Sequence, residues 1–186
     1  MAQSMRSRDR RRRILEGAEA VFLRSGLKGT TMEMVAREAG VAKATLYSYF
    51  PDKDAIYAAI IEMMAADKLA AFHRGLAHHG PLDERIGEAL AGKLGVAADL
   101  LARSPHADEI LNEHHRLAGK LKALDDQVET ELTDLLAAEG VPDPEITARM
   151  LLASAYGILL KLPDPAQMRA AIKLLATRVL GDGDKP

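Results

Sequence analysis

Residues 30–51, TTMEMVAREAGVAKATLYSYFP, contain two short stretches with apolar residues at helical spacing, one on each side of Gly40. Pro51 ends the second stretch, because the residue before a proline avoids helical backbone angles. Two short helices joined by a glycine-containing turn are typical of a helix-turn-helix.

The remainder of the chain also indicates helices. Hydrophobic residues make up 48% of the 186 residues but aromatic residues only 4%, and 28% are charged, which favours a helical fold with a buried core. We predict an all-α protein with helices at about 9–25, 30–39, 42–50, 53–78, 82–102, 107–139, 144–162 and 165–180. No apolar run is long enough to predict a membrane span.

Local signals predict where several of these helices begin and end. Gly26 is expected to stop the first helix, since glycine adopts left-handed angles readily. Thr30 and Glu33 form a capping-box pattern at the start of the second helix. Ala42 precedes the third helix and offers no side-chain oxygen, whereas Asp52 can cap the fourth.

Charge is distributed unevenly along the chain. Through Lys53 there are 11 Lys and Arg against 6 Asp and Glu, whereas the remainder has 14 against 21. A basic N-terminal part on an acidic body predicts that only the N-terminal part meets a polyanion. The arginines at 10–13 are expected to follow a DNA backbone or enter a minor groove.

The third predicted helix has two different sides on a helical wheel. Leu46 and Phe50 point inward, whereas Ala44, Thr45 and Ser48 point outward. Two further aromatic residues flank the outward side, namely Tyr47 and Tyr49. Small residues let a helix approach a partner closely, and tyrosine hydroxyls can donate hydrogen bonds to phosphates, so this side predicts a recognition helix in a major groove.

The segment GTTMEMVAREAGVAKATLYSYFPDK, residues 29–53, resembles the DNA-binding domain of TetR-family transcriptional regulators. The matching positions are Val35-Ala36, Ala39-Gly40-Val41, Thr45-Leu46-Tyr47, Tyr49-Phe50 and Lys53. Tyr49 departs from the family pattern, which often has histidine there, and Ala42 departs from the usual polar cap. The resemblance covers the first third of the chain and does not transfer a ligand.

The resemblance implies that Thr31, Lys43, Thr45, Tyr47, Tyr49 and Lys53 contact DNA. By chemistry, Thr31, Tyr47, Tyr49 and Lys53 suit phosphates. Lys43, Ala44 and Thr45 suit base edges, because a lysine can donate to guanine and a methyl group can contact thymine. Ser48 completes the outward side.

The resemblance also implies a helix-turn-helix domain at 1–53, a helical ligand-binding and dimerisation domain at 54–180, and a disordered tail at 181–186. Two copies on neighbouring half-sites would bury more DNA surface than one. The expected dimer residues lie on the last two helices: Met150, Ala153, Gly157, Leu160, Met168, Ile172, Leu175 and Val179. These faces could instead close the core of the monomer.

The body of such a regulator is expected to bind a small molecule. Candidate ligand contacts are Met64, Phe72, Leu101, Ile110, His114, Leu117 and Tyr156, each of which could instead be ordinary core. His114 falls within an apolar stripe, but the histidines lack the spacing of a metal site, so no metal or cofactor is predicted.

The predicted function is that of a cytoplasmic, homodimeric repressor that a small molecule releases from a pseudo-palindromic operator. The absence of cysteine fits a reducing compartment. An enzyme is not expected, since no nucleophile elbow, P-loop or zinc-protease motif occurs. The alternative is a nucleoid-type or adaptor protein that binds DNA without sensing a ligand.

Overall fold

The computed structural model describes residues 2–106, 118–162 and 164–181, and these residues form helices joined by short turns. The helices are α1 (Ala2–Gly29), α2 (Met32–Glu38), α3 (Lys43–Tyr49), α4 (Lys53–Leu76), α5 (Leu82–Leu101), α6 (Ala118–Ala138), α7 (Pro144–Lys161) and α8 (Pro165–Leu180). The all-α prediction is therefore confirmed. The predicted tail and the first eleven residues of the predicted helix 107–139 lie outside the described residues, apart from Gly181.

The described chain divides into two compact units. The first, here called the head, holds residues 2–63 and 103–106, and the second, the body, holds 64–102 and 118–181. The division falls inside α4, ten residues beyond the predicted boundary. Ile56, Tyr57 and Ile60 explain the difference, because these apolar side chains of α4 are buried in the head. A domain boundary within one continuous helix leaves no turn signal in the sequence.

The head places α2 and α3 around a tight glycine turn. Gly40 has a φ of 62°, and the N–H of Val41 donates to the carbonyl of Ala36 over 3.0 Å, which closes α2 in a Schellman-type turn. A Cβ on Gly17 of α1 would lie 2.9 Å from the backbone nitrogen of Ala39. Gly17 thus lets α1 touch the end of α2 directly, and this contact fixes where α3 begins.

The start of α2 differs from the predicted capping box. Thr31, not Thr30, is the N-cap, and its hydroxyl accepts a hydrogen bond from the Met34 N–H over 3.3 Å. Thr30 is buried and donates to the carbonyl of Gly26 over 2.6 Å. Gly26 does interrupt α1, with a φ of 68°. The prediction for Thr30 is wrong because the chain leaving Gly26 needs its hydroxyl to satisfy a buried carbonyl.

The body is a helical bundle around one apolar core. Helix α5 packs along α8, and α7 packs against α5, α6 and α8. The largest fully buried side chains of this core are Phe72, Ile86, Leu90, Leu132, Leu136, Leu151, Met168 and Ile172. The rims carry ion pairs between helices, such as Lys173–Glu88 at 2.6 Å and Arg149–Glu129 at 2.7 Å. None of the helices in the described ranges is long and apolar enough to cross a membrane.

Candidate nucleic-acid interface

Helix α3 presents a polar side to solvent and an apolar side to the head. Leu46 is fully buried and Phe50 nearly so, as predicted, whereas Tyr47 is 45% exposed. Lys43, Ala44 and Ser48 are exposed as well, and Thr45 and Tyr49 are half-buried. The predicted orientation of α3 is therefore confirmed.

The start of α3 has no side-chain cap. Ala42 is extended, with ψ of 146°, and makes no capping hydrogen bond, as its methyl side chain requires. The amide groups of the first turn therefore stay available to water or to a phosphate. Sequence and structure agree on this departure from a polar cap.

Lys43 is held at the start of α3 by an ion pair with Glu33 of α2. The hydrogen bond between them raises the pKa of Lys43 and lowers the pKa of Glu33, so both side chains stay charged. Both are exposed, and such pairs contribute little to stability. DNA can therefore displace Glu33 at a small free-energy cost, and the pair keeps the ammonium beside the outer side of α3.

The two tyrosines of α3 have different surroundings. Tyr47 is close to Lys43, whose Nζ lies 5.9 Å from the ring centroid. The hydroxyls of Tyr49 and Ser7 lie 3.2 Å apart, which ties the end of α3 to the start of α1. Ser48 donates to the carbonyl of Thr45 over 2.7 Å. Tyr47 is thus the freer hydroxyl for a phosphate, whereas Tyr49 also has a packing role.

The ammonium of Lys53 is bonded to backbone carbonyls of the head, whereas the predicted phosphate contact requires it to be available to DNA. Its ammonium donates to the carbonyl of Leu27 over 2.9 Å and to the carbonyl of Thr30 over 3.4 Å. These bonds satisfy carbonyls at the end of α1 and fix the chain that leads into α2. The Thr31 hydroxyl is likewise engaged as a cap. Lys53 and Thr31 therefore stabilise the backbone that positions α2 and α3. A direct contact of either side chain with DNA stays a prediction.

The basic segment at the start of the chain is helical rather than an extended arm. Arg13 donates to the carbonyl of Ala39 over 3.1 Å and so caps α2. Arg11 stacks 5.3 Å from the ring centroid of Phe50, and Arg12 pairs with Glu16 over 3.7 Å. Three of these four arginines thus have contacts within the head, and a contact of this segment with a DNA backbone or a minor groove stays a prediction.

The predicted dimer residues differ in exposure between the two helices. On α7, Met150, Ala153, Gly157 and Leu160 are all exposed, and Leu160 is 61% exposed. On α8, Met168 and Ile172 are fully buried in the core of the monomer, with Leu175 and Val179 packed against it. The prediction of dimer contacts is wrong for Met168 and Ile172, because the core of the monomer encloses them, whereas for the partly exposed Leu175 and Val179 it stays a prediction.

Two exposed apolar residues of this helix pair were not predicted. Ile146 of α7 is 66% exposed and Leu174 of α8 is 57% exposed. Ile146 lies one helical turn before Met150, and Leu174 lies on the side of α8 opposite its core residues. The 3.6-residue spacing could have identified Ile146, whereas α8 has apolar residues on both sides and its orientation is ambiguous.

The predicted ligand contacts have mixed outcomes. Met64 and Phe72 are buried on α4, and Tyr156 on α7 is 43% exposed. Ile110, His114 and Leu117 lie outside the described residues, as does the side chain of Leu101. An open groove of about 300 Å³ between α6 and α7 is lined by other residues, namely Asp126, Glu129, Thr130, Thr133, Asp134, Glu145 and Arg149.

Two buried lysines in the body are a further feature that sequence analysis missed. Lys68 of α4 is 5% exposed and Lys93 of α5 is 3% exposed. The sequence signal was the position of Lys68, four residues from both Met64 and Phe72 on one apolar helix face. Lysines usually lie on the surface, so this position by itself does not indicate burial.

Helices α2 and α3, the glycine turn between them and the polar outer side of α3 together form a helix-turn-helix, a motif with which many proteins bind DNA. The family model described as "Bacterial regulatory proteins, tetR family" matches residues 14–60, which span α1 to the first turns of α4. The described fold agrees with solved members of that family. Residues 14–60 of this chain are therefore similar to the DNA-binding domain of TetR-family transcriptional regulators, as the sequence predicts.

Individual relatives support this assignment. The transcriptional regulator RutR of Escherichia coli K12 is 33% identical over 129 residues, covering 63% of this chain and 58% of RutR. The nucleoid occlusion factor SlmA of Shewanella pealeana is 25% identical over 179 residues, covering 91% of this chain and 88% of SlmA. Less than two thirds of RutR is therefore matched. By name, RutR is an HTH-type transcriptional regulator and SlmA is a nucleoid occlusion factor.

A solved structure extends the likeness to the body. SmeT, described as the repressor of the Stenotrophomonas maltophilia multidrug efflux pump SmeDEF, matches with a TM-score of 0.64 at 22% identity. The match covers 95% of this chain and 95% of SmeT. At this identity the likeness establishes the fold alone.

Proposed function

We propose that this protein is a homodimeric repressor that acts in the cytoplasm on a pseudo-palindromic operator and is released by a small molecule bound in the body. The observation that carries the DNA part is the exposed side of α3, where Lys43, Ala44 and Tyr47 reach solvent while Leu46 anchors the helix. In a dimer, two such helices would bind two half-sites whose centres are separated by about one helical turn of DNA or a multiple of it.

The outer side of α3 favours a division of labour among its residues. Tyr47, Ser48 and Tyr49 carry hydroxyls suited to phosphates, which hold the register without reading sequence. Lys43, Ala44 and Thr45 lie where a base edge would be nearest, and Lys43 can donate to guanine. In this proposal Glu33 releases Lys43 when DNA binds.

The exposed apolar face of α7 supports the dimer. Ile146, Met150 and Leu160 expose large side chains along one side of the helix, and Leu174 of α8 adds a fourth. A Cβ on Gly157 would meet no atom within 4 Å, so this position leaves room for another helix to approach. Apolar surface of this kind, next to a glycine, is suited to helix–helix association across a two-fold axis.

The dimer is tested with Leu160→Asp. A carboxylate at this position would have to be desolvated in the interface, so we expect the variant to sediment as a monomer and to lose specific DNA affinity. Ala123→Asp is the matched control, since it places the same group on an exposed part of α6. Sedimentation of Leu160→Asp as a dimer equal to wild type would contradict the α7 interface.

The DNA function is tested by sequencing the fragments that the purified full-length protein selects from random and genomic DNA. We expect an inverted repeat whose half-sites have a fixed spacing. Fragments with a single half-site, or with no shared sequence, would contradict a dimeric operator.

A DNA-binding protein without ligand sensing is the second candidate, and one observation favours it. The similarity to SlmA, whose name gives a nucleoid occlusion factor, extends over 91% of this chain, including the body. A small molecule that weakens specific DNA binding would support the repressor. A broad metabolite and drug panel that changes neither DNA affinity nor melting temperature would favour the second candidate.

A further inference from the structure

The body buries two ammonium groups within apolar helix faces. Lys68 and Lys93 are only 5% and 3% exposed. Met64 and Phe72, one turn before and after Lys68 on α4, are buried too. Lysine is almost never buried to this degree without a partner, because removing the ammonium from water carries a large free-energy penalty. The charges that balance these two lysines therefore need to be identified.

Only Lys93 has an anionic partner among the described residues. Its Nζ donates to Oδ1 of Asp125 over 2.7 Å, with side chains that are 4% and 46% exposed respectively. Lys68 has neither a hydrogen bond nor an ion pair within the described part of the body, and it feels Lys93 as a repelling charge and Asp125 as an attracting one. Within the described residues, the carboxylate of Asp125 thus balances one of the two ammonium groups, which leaves one unit of positive charge.

The unbalanced charge persists at neutral pH. Burial, followed by repulsion from Lys93, lowers the pKa of Lys68 to about 8, which still leaves the ammonium mostly protonated at pH 7. In the described residues no fully enclosed side-chain nitrogen or oxygen lacks a partner. The Nζ of Lys68 therefore retains some contact with solvent.

Asp125 and Tyr156 are the exposed neighbours of this pair of lysines. The ring centroid of Tyr156 lies 5.9 Å from Nζ of Lys93, and the residue is 43% exposed. Burial of its hydroxyl, followed by the charge of Asp125, raises the pKa of Tyr156, so the phenol stays neutral and can donate a hydrogen bond. Asp125 and Tyr156 thus both lie beside Lys93, and both side chains are partly exposed.

We propose that Lys68, Lys93, Asp125 and Tyr156 form a binding site for an organic monocarboxylate with an apolar body. One added negative charge brings the cluster to neutrality, whereas a dianion such as a phosphate ester would exceed it. The buried Met64 and Phe72 beside Lys68 favour an apolar remainder of the ligand. This inference rests on the proposed function, in which the body binds an effector, and it gives that effector a chemical class.

The test uses the full-length protein at pH 7 with octanoate and benzoate, their neutral amides octanamide and benzamide, and inorganic phosphate. Calorimetric titration and thermal melting report binding. We expect at least one acid to bind and to raise the melting temperature, and the amides and phosphate to bind more weakly. Lys68→Met should weaken binding of that acid about tenfold or more, as the loss of a charge-assisted hydrogen bond implies.

Two further variants make the test specific. Lys122→Met is the control, because it removes the charge of an exposed lysine of α6 that pairs with Asp126, and it should bind the acid as wild type does. Lys68→Gln removes the charge while keeping a polar group, and it replaces Lys68→Met if that variant does not fold. Binding by neither acid, equal binding of acids and amides, or unchanged binding in the Lys68 variants would each overturn the site.

The result can be separated from the outcome for the proposed function by measuring DNA affinity in the same samples. Lys68-dependent binding of an acid that leaves DNA affinity unchanged supports this site and contradicts ligand release. Release of DNA by a compound whose effect survives in Lys68→Met supports the repressor and contradicts this site.

Discussion

The head and the body differ in whether their cationic side chains are exposed or buried. In the head, Lys43 and Arg12 are exposed and paired with surface carboxylates. In the body, Lys68 and Lys93 are buried among apolar side chains and share one partly exposed carboxylate. A surface cation is screened by water and can exchange one anionic partner for another at a low free-energy cost, so exposed cations are suited to binding a long polyanion. A buried cation carries a large desolvation penalty, which suits a small anion that fits one place.

The largest expected effect concerns the DNA affinity of the head. If it is not observed, the contrast between an exposed head that binds a polyanion and a body that buries its cations no longer holds. Ala44→Glu adds a carboxylate and a longer side chain at the centre of the outer side of α3. Repulsion from the DNA and loss of close approach should lower specific affinity by about 100-fold or more. A DNA-binding titration of Ala44→Glu against the control Ala123→Glu on α6 measures this. Equal affinities would mean that α3 does not face DNA.

The next effect concerns the body. The pKa of Lys68 falls from 10.5 to about 8 on folding, so between these pH values the unfolded chain binds more protons than the folded one. Wild-type stability therefore gains a contribution as pH rises from 8 to 10.5, and below pH 8 the buried charge destabilises the fold. Lys68→Met should raise the free energy of unfolding at pH 7 by about 1–3 kcal/mol.

Denaturant unfolding at pH 7 and pH 10 measures the difference between Lys68→Met and wild type, which should narrow at the higher pH. Lys122→Met should not give a difference that depends on pH in this way. A Lys68→Met variant less stable than wild type at pH 7 would mean that the ammonium is satisfied within the fold, and the comparison of head and body would then lose its basis.

A smaller effect sharpens the role of Lys43. Lys43→Ala should reduce discrimination at one base position of each half-site by about tenfold, the lower range for a specific base contact. Glu33→Gln is the matched control, because it removes the ion pair but keeps the ammonium, so it should leave base preference unchanged. Selection of bound DNA by each variant gives the measurement. A uniform loss of affinity in Lys43→Ala would reassign this lysine to phosphate.

The smallest effect concerns the uncapped start of α3. Ala42→Ser supplies a hydroxyl to a free N–H of the first turn and should stabilise the protein by about 0.5–1 kcal/mol. Thermal unfolding measures this change, with Ala66→Ser in the exposed middle of α4 as a control that should be neutral or slightly destabilising. No gain in Ala42→Ser would indicate that the first turn of α3 is already satisfied.

The sequence alone determined the helical fold and the helix-turn-helix, because their signals are local. The apolar spacing, Gly40 and Pro51 all act within about 20 residues, and the structure has the turn and the inward Leu46 and Phe50 where these signals predict them. The face of α7 was also readable, since its buried residues Ala148, Leu151, Ala155 and Leu159 leave one clear opposite side.

Tertiary structure decided features that depend on residues distant in sequence. Lys53 donates to the carbonyl of Leu27, 26 positions away, and Lys93 pairs with Asp125, 32 positions away. Helix α8 has apolar residues on two sides, and only packing on α5 selects Met168 and Ile172 for the core and leaves Leu174 outside. Periodicity gives the faces of a helix, but which face is buried depends on the free energy of contact with its neighbours, which a single sequence does not reveal.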